Sequence, residues 1–343
     1  MTEIIVITYP TALELWLDGT NWENTEKYSY QNRELQGLPA YFAVPDLNII
    51  AKEISLNLNV TQPISFMVPS NQNRRNEANF KKYIRPRHFS TDSFIKMDTR
   101  LYPALSQYEV LIASPEYCFL CAAKDYSFCQ LVEIGINLCA MYVKDRNSSF
   151  GQYQRDPILT SKLLAEYISN TNNMKHHKKA LLAAKFVQDN SRSPIESKLA
   201  TVSCLPKYQG GYGMKFPKLN YDIYHSNAGK MLLNRESSNC DLVWPKEKIV
   251  LEYDSDLAHG NAEQFAYDKI KYRSLTISDY KVFPIVSKDL LSLDRLDELF
   301  MSIKKQLNGK SERATLKKYR MKREEVYKEL FGTKNNTYVP IPN

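Results

Sequence analysis

The sequence predicts an α/β protein, with a mixed sheet flanked by helices at the core of its second half, an α/β domain before it and helices after it. Three observations carry this prediction. From residue 193 to about 286 the apolar patterning reads helix, strand, strand, strand, strand, helix, strand, an order that gives a sheet covered by helices. Within it, residues 242–244 and 249–253 are short runs of Val, Ile, Leu and aromatics separated by the polar residues 245–248, the pattern of a β-hairpin. The first half places strand-like runs at 4–8, 64–68 and 108–112 among segments of helical spacing.

At 343 residues the chain is long enough for two domains with real cores. The expected division is 1–189, an α/β domain of sensing, regulatory or nucleic-acid-binding role, then 190–290, then 291–343 as basic helices and a loose tail. The net charge of +8 is concentrated. Between 304 and 323 lie Lys304, Lys305, Lys310, Arg313, Lys317, Lys318, Arg320, Lys322 and Arg323 against the single acid Glu312, and residues 175–179 form a second basic run. Such clusters suit polyanions, and the alternative is a pair of solvated helix faces. No run of eighteen apolar residues is present, which predicts no membrane span. The first twenty residues carry Glu3, Glu14 and Asp18 and no base, unlike a secretory signal. Six unevenly spaced cysteines in a chain of this size do not make a disulfide framework, so a reducing, cytoplasmic location is expected. Cys118, Cys121, Cys129 and Cys139 could be weighed as a zinc site, but Phe119, Leu120, Phe128 and Leu131 around them favour buried small hydrophobes.

In order along the chain, 4–8 reads as a strand and 11–17 as a short helix after Pro10. The Asn-, Tyr- and Gly-rich stretch 16–45 reads as irregular. Tyr28, Tyr30 and Tyr41 there are compatible with base stacking, core packing being the plainer use. Helical spacing follows at 47–56. Residues 71–88 hold Arg74, Arg75, Lys81, Lys82, Arg85 and Arg87, a third basic patch. Ser114-Pro115-Glu116 opens a helix with an N-cap, a proline at the first position and an acid in the first turn; two helices reach about 141. Residues 151–157 read as a polar break, 158–168 and 179–188 as helices, and His176 and His177 as solvated in the connector.

Ser193-Pro194-Ile195-Glu196 starts the next helix. Ser-x-x-Glu is a capping box in which Glu196 reaches back to the amide of Ser193, and the same glutamate could face an acidic patch further on. Gly210, Gly211 and Gly213 mark a turn. Residues 221–225 and 231–234 bracket Ser226-Asn227-Ala228-Gly229, a hairpin signal. With 245–248 as the loop of the central hairpin, Trp244 pairs with Ile249, and the register sets Asp241 opposite Glu252. Two carboxylates facing across a ladder repel, and Asp254 leaves the same face as Glu252. Three acids on one patch are costly unless a cation sits among them, and a hard divalent ion such as Mg²⁺ is the simplest resolution. The other reading is that acids at strand ends are merely solvated. Residues 261–277 form a helix in which Ala266, Ile270, Arg273 and Ile277 share a stripe, so Arg273 interrupts a face expected to be buried. Residues 281–286 read as the last strand, with helices at 290–307 and 313–330.

Ser193-Pro194-x-Glu196, Asp241-Leu242-Val243-Trp244-Pro245, Glu252-Tyr253-Asp254-Ser255-Asp256-Leu257-Ala258-His259, then Gln264, Asp268 and Arg273, together resemble the PD-(D/E)XK nuclease superfamily, in the branch related to very-short-patch mismatch endonucleases. The likeness covers roughly residues 190–290. It implies a restriction-endonuclease-like core in which an acid on the first helix, an Asp on the second strand and a residue on the third gather Mg²⁺ or Mn²⁺. Carried over, these are Glu196, Asp241 and Glu252, with the main-chain carbonyl of Tyr253 as a further ligand. The wider superfamily has a lysine two residues after the glutamate, where this chain has Asp254. The mismatch-endonuclease branch relies on nearby histidine, which makes His259 the expected proton-transfer group. Ala113-Ser114-Pro115-Glu116 and Glu133-Ile134-Gly135 loosely resemble N-terminal regions of AbiEi-type abortive-infection proteins, implying a phage-defence or toxin–antitoxin setting.

The expected function is therefore a metal-dependent endonuclease acting on nucleic acid, DNA before RNA, with an activating or inhibiting protein partner conceivable. Arg273 or Lys271 would meet charge on phosphate. Arg74, Arg75, Lys304, Lys305, Lys317, Lys318 and Arg320 would hold the backbone. The alternative is a nucleic-acid-binding or regulatory protein on a non-cleaving nuclease fold, motivated by the missing lysine. A third reading is a metal-dependent hydrolase of a small phosphate ester.

Overall fold

The computed structural model describes residues 3–18, 25–58, 60–61, 63–70, 76–86, 92–100, 102–144, 152–171, 173–254, 262–309 and 317–332. Residues 1–189 form one compact unit and residues 190–338 a second. Among the described residues no helix is long and apolar enough to cross a membrane.

The first unit is built on a six-stranded mixed sheet of β1 (Ile4–Ile7), β2 (Leu35–Gln36), β3 (Ile64–Val68), β4 (Phe80–Ile84), β5 (Phe94–Lys96) and β6 (Glu109–Ala113), in the order β2-β5-β6-β1-β3-β4. β1 runs parallel to β6 and β3 to β4, and the other pairs are antiparallel. Every residue of β1 and β3 is buried, as continuous apolar runs in central strands should be. The helices are α1 (Thr11–Leu17), α2 (Leu47–Leu58), α3 (Pro115–Ala122), α4 (Phe128–Leu138), α5 (Ser161–Asn170) and α6 (His177–Ala184). Ser114 caps α3 as its sequence announces, its hydroxyl accepting the Tyr117 amide at 3.2 Å. The cysteines of this unit are free. Cys118, Cys129 and Cys139 are fully buried, and burial pushes the Cys121 thiol up to about 12. They serve as hydrophobes.

Five strands escape the pattern reading, the two-residue β2 within the stretch read as irregular among them. β4 hides in the third basic patch, with Phe80 buried between lysine-rich neighbours at the sheet edge, and β5 is only three residues long. The polar break at 151–157 contains β8 (Gln152–Gln154), paired with β7 (Tyr142–Lys144). A two-stranded ribbon needs only alternate apolar residues, so its composition reads as loop. His176 is exposed as expected, whereas His177 is half-buried, its Nε2 2.7 Å from the Ile168 carbonyl oxygen. Of the three tyrosines, Tyr28 is buried and Tyr41 is 82% exposed.

The second unit carries a four-stranded sheet of β9 (Lys218–Tyr224), β10 (Ser237–Trp244), β11 (Ile249–Asp254) and β12 (Lys281–Val286), in the order β12-β11-β10-β9. β9, β10 and β11 form an antiparallel meander, and α9 (Ala262–Ile277) crosses over to bring β12 parallel to β11. The central hairpin has the expected register, Trp244 opposite Ile249. Ile223, Cys240, Val243, Val250 and Leu275 make a buried cluster that locks α9 to the sheet. The chain continues through α7 (Pro194–Cys204) before the sheet, and α10 (Ser287–Leu290), α11 (Leu293–Asn308) and α12 (Arg320–Phe331) after it.

The segment expected to turn at 226–229 is instead a helix, α8 (Asn227–Leu233). Ser226 acts as its N-cap, its hydroxyl accepting the Gly229 amide at 3.3 Å. Gly229 is there for close approach rather than for a hairpin, because a Cβ on it would stand 2.7 Å from Ser278 Oγ of the neighbouring segment. The α9 stripe is also reversed. Ala266, Ile270, Arg273 and Ile277 all face solvent, and the buried side holds Ser274, Leu275 and Ser278. Serines bury there because they find partners: Ser274 Oγ donates to the Gly229 carbonyl at 2.9 Å and meets His225 Nδ1 at 3.0 Å. Apolar periodicity therefore pointed to the wrong face.

The C-terminal helices pack within this same unit rather than apart from it. Gly210, at φ 88°, lets α12 come close, since a Cβ there would lie 2.4 Å from the Lys322 carbonyl oxygen. Arg323 forms a two-pronged pair with Asp297, at 2.8 and 3.0 Å, and Tyr212 donates to the same Asp297 at 2.8 Å. Lys304 is buried as well, its Nζ donating to the Tyr212 carbonyl at 2.5 Å. Lys304 and Arg323 thus belong to the interior, not to a basic surface.

Candidate active site

Glu196, Asp241 and Glu252 come from three separate elements of the second unit. Glu196 lies in the first turn of α7, Asp241 in β10 and Glu252 in β11. The β10–β11 ladder is paired from Trp244↔Ile249 to Leu242↔Leu251 and stops there, one step before Asp241 and Glu252 come level. At that step the side chains replace the ladder. The Asp241 amide donates to Glu252 Oε2 at 3.2 Å, and the Tyr253 amide donates to Asp241 Oδ2 at 2.8 Å. Each carboxylate takes an amide where a strand carbonyl would otherwise stand, so both are held at the point where the hairpin opens.

Burial is the main cause that raises all three acids above the ordinary carboxylate range. Asp241 is raised well above it, by burial and then by the charges of Glu252 and Glu196. Glu252 is raised by burial, with Lys271 opposing. Glu196 is raised by burial, and the Arg192 amide, Asn220 and Ser193 oppose. Like charges forced together in a dry place favour protonation or a cation. Lys271 of α9 supplies one positive charge, forming an ion pair with Glu252 Oε1 in which both side chains are nearly covered. Burial works against the Lys271 ammonium, but Glu252, Cys240 and Asp241 together outweigh it and the pKa is raised.

The remaining candidates fall as follows. Asp254 is half-buried, and its Oδ1 accepts the Tyr272 hydroxyl of α9. Burial and this carboxylate hold the Tyr272 phenol far above its usual pKa. Glu196 does serve as a cap, but the amide it accepts is that of Arg192, at 2.9 Å, rather than that of Ser193. Arg273 is exposed on the far side of α9 from Lys271 and is not brought to the three acids. His259, Arg74 and Arg75 lie outside the described residues. Lys305, Lys317, Lys318 and Arg320 are exposed, and Arg320 is paired with Asp294 and Glu324.

Pattern reading found Lys271 only as an alternative to Arg273 and missed Arg192, Asn220, Asn239 and Tyr272. The i, i+3, i+4, i+7 set of Lys271, Ser274, Leu275 and Ser278 was the signal available for Lys271. A mixed polar stripe does not stand out in a hydrophobicity scan.

Among the described residues no group of three His, Cys, Asp or Glu side chains is disposed as a metal cage. Glu252 is turned to Lys271, and Asp241 to the Tyr253 amide. The donor set is nonetheless chemically apt, consisting of carboxylates and a main-chain carbonyl, the oxygen ligands that Mg²⁺ and Mn²⁺ take. No protein-family model, curated protein or solved structure matches the chain.

The raised acids have a measurable consequence. A carboxyl group whose folded pKa exceeds its unfolded value binds its proton more tightly in the folded state, so stability falls as pH rises from the ordinary carboxylate range through the raised values. Asp241→Asn removes one such charge and keeps an oxygen for the Tyr253 amide. Without divalent cations this variant is expected to unfold at higher urea than wild type at pH 7, by about 1 kcal/mol or more, with the advantage shrinking towards pH 4. Urea titrations at a series of pH values measure it.

Proposed function

We propose that this protein is a metal-dependent nuclease of PD-(D/E)XK type that hydrolyses phosphodiester bonds, DNA being the preferred polymer. The observation that carries the reading is the meeting of three raised carboxylates, one from a helix and two from adjacent strands, with a lysine beside them. An acid on the first helix of the unit, an Asp on its second strand and a Glu on its third follow the order that the resemblance implies.

Asp241 and Glu252, helped by Glu196 and the Tyr253 carbonyl, would hold Mg²⁺ or Mn²⁺. When bound, such an ion lowers the pKa of an attacking water and offsets charge on the phosphoryl group. The protein's own groups prepare the rest. Lys271 opposes the burial that raises Glu252, and with a cation held by the carboxylates its ammonium would be placed to donate to a phosphate oxygen. Lys271 thus stands in for the lysine absent at position 254, coming from α9 instead of β11. Tyr272 ties Asp254 away from the reacting phosphate. His259 remains the proposed proton relay. Arg273, facing outward, suits a flanking phosphate better than the one being cut.

Lys305, Lys317 and Lys318 would contact the backbone without reading sequence. Changing all three to glutamine is expected to lower affinity for duplex DNA and to flatten the dependence of log K on log salt by about 0.9 per lost phosphate contact. Filter binding at several salt concentrations measures both. Slopes unchanged in the triple variant would move the interface elsewhere.

The reading is tested by incubating plasmid DNA, single-stranded DNA and RNA with the full chain and Mg²⁺ or Mn²⁺. Metal-dependent cutting supports it, and the preferred polymer names the substrate. Retarded migration of nucleic acid with no cutting in any arm would favour a binding or regulatory protein that awaits a partner. The phage-defence setting and cytoplasmic location belong to this proposal.

A further inference from the structure

The ladder between β9 and β10 misses one rung. Leu242 pairs with Leu219 and Cys240 with Tyr221, which leaves Asn220 opposite Asp241. There Asn220 takes φ 48°, a left-handed backbone inside a strand. Asparagine tolerates that region better than most residues, but a strand has no need of it, and such outliers persist only where the surroundings hold them.

The surroundings here are specific. Asn220 Nδ2 donates to Glu196 Oε2 at 2.5 Å and to the Asn190 carbonyl at 2.8 Å. The Asn220 carbonyl accepts from Asn239 Nδ2 at 2.8 Å, and Asn239 Oδ1 accepts from Arg192 Nη1 at 3.3 Å. The Arg192 amide returns to Glu196 Oε2 at 2.9 Å. The four residues close a ring, and both of these contacts to Glu196 fall on the same oxygen. Asn239 is further held by Asp222, whose Oδ1 accepts from Asn239 Nδ2 at 3.0 Å.

We propose that Asn220 is a positioning residue of the nuclease centre, its turned backbone and amide fixing Oε2 of Glu196 so that the carboxylate meets Asp241 and Glu252 through its other oxygen. The inference rests on the nuclease reading and adds to it the residue that orients the helix-borne acid. Outer groups of this kind set the geometry of a cation site, and their loss typically costs about 10- to 100-fold in metal affinity.

Two substitutions separate the amide from the backbone. Asn220→Gly accepts φ 48° without strain but has no donor. Asn220→Ala loses both. Mn²⁺ affinity of the full chain is measured at fixed pH by electron paramagnetic resonance, with thermal unfolding alongside. Both variants are expected to bind Mn²⁺ about 10-fold or more weakly, while Asn220→Gly, free of the backbone strain, unfolds at a higher midpoint than Asn220→Ala. Wild-type affinity in Asn220→Gly would overturn the positioning role alone, whether or not Asn220→Ala is impaired. A wild-type chain that binds no Mn²⁺ would overturn the nuclease reading, and this proposal with it.

Discussion

Asp241→Ala is expected to slow phosphodiester cleavage by roughly 10³-fold, corresponding to about 4 kcal/mol of lost transition-state stabilisation. Burial and the charges of Glu252 and Glu196 raise Asp241 well above the ordinary carboxylate range, and on β10 it is level with Glu252 of β11 on one side and Asn220 of β9 on the other. Removing it takes away a proposed cation ligand and also the side chain that holds the Tyr253 amide at the open end of the hairpin. The same change relieves repulsion among the acids, so folding should not suffer. Initial cleavage rates together with urea midpoints distinguish a damaged site from a damaged fold. Lost activity at an unchanged or raised midpoint is the expected pair of results.

Asp297→Ala is expected to destabilise the second unit by about 3–5 kcal/mol, because it takes the countercharge from a buried guanidinium. Arg323 is 2% exposed, and Asp297 accepts from both its guanidinium and the Tyr212 hydroxyl. Tyr212 stacks on Phe300, with ring centroids 4.3 Å apart, so the same substitution loosens the seat of α11. Replacing Asp297 and Arg323 together by Leu and Met, which removes both charges of the pair, should recover most of the loss. A double variant as unstable as the single one would mean that packing, not the unpaired charge, causes the effect. Urea unfolding of the three proteins decides it.

Local chemistry made part of this architecture legible in advance. Trp244 and Ile249 could be paired on paper because four polar residues between two apolar runs leave little choice of loop, and that register placed Asp241 level with Glu252. Ser114 and Ser193 announced their helices through capping chemistry that acts over three residues. What failed depended on partners distant in sequence. Ser226-Asn227-Ala228-Gly229 has the composition of a turn, and only Ser278, 49 or more positions later, explains why it is the tight start of a helix. Lys304 and Arg323 looked like surface charge because Tyr212 and Asp297 are remote in the chain. In the site, the acids were visible as a pattern, whereas Lys271 stood only as an alternative to Arg273 and Asn220 was not visible at all. A lysine on a mixed stripe and an asparagine in a strand acquire meaning only when α9 and α7 are packed against the sheet.

The most direct test of the central claim is a Mn²⁺ titration of the full chain followed by isothermal calorimetry, run in parallel with plasmid cleavage for wild type, Asp241→Ala and Glu252→Ala. The account predicts that wild type binds Mn²⁺ and cuts over the same concentration range, and that both variants lose binding and cutting together. Cutting that survives in both variants, or Mn²⁺ binding untouched by either substitution, would contradict it.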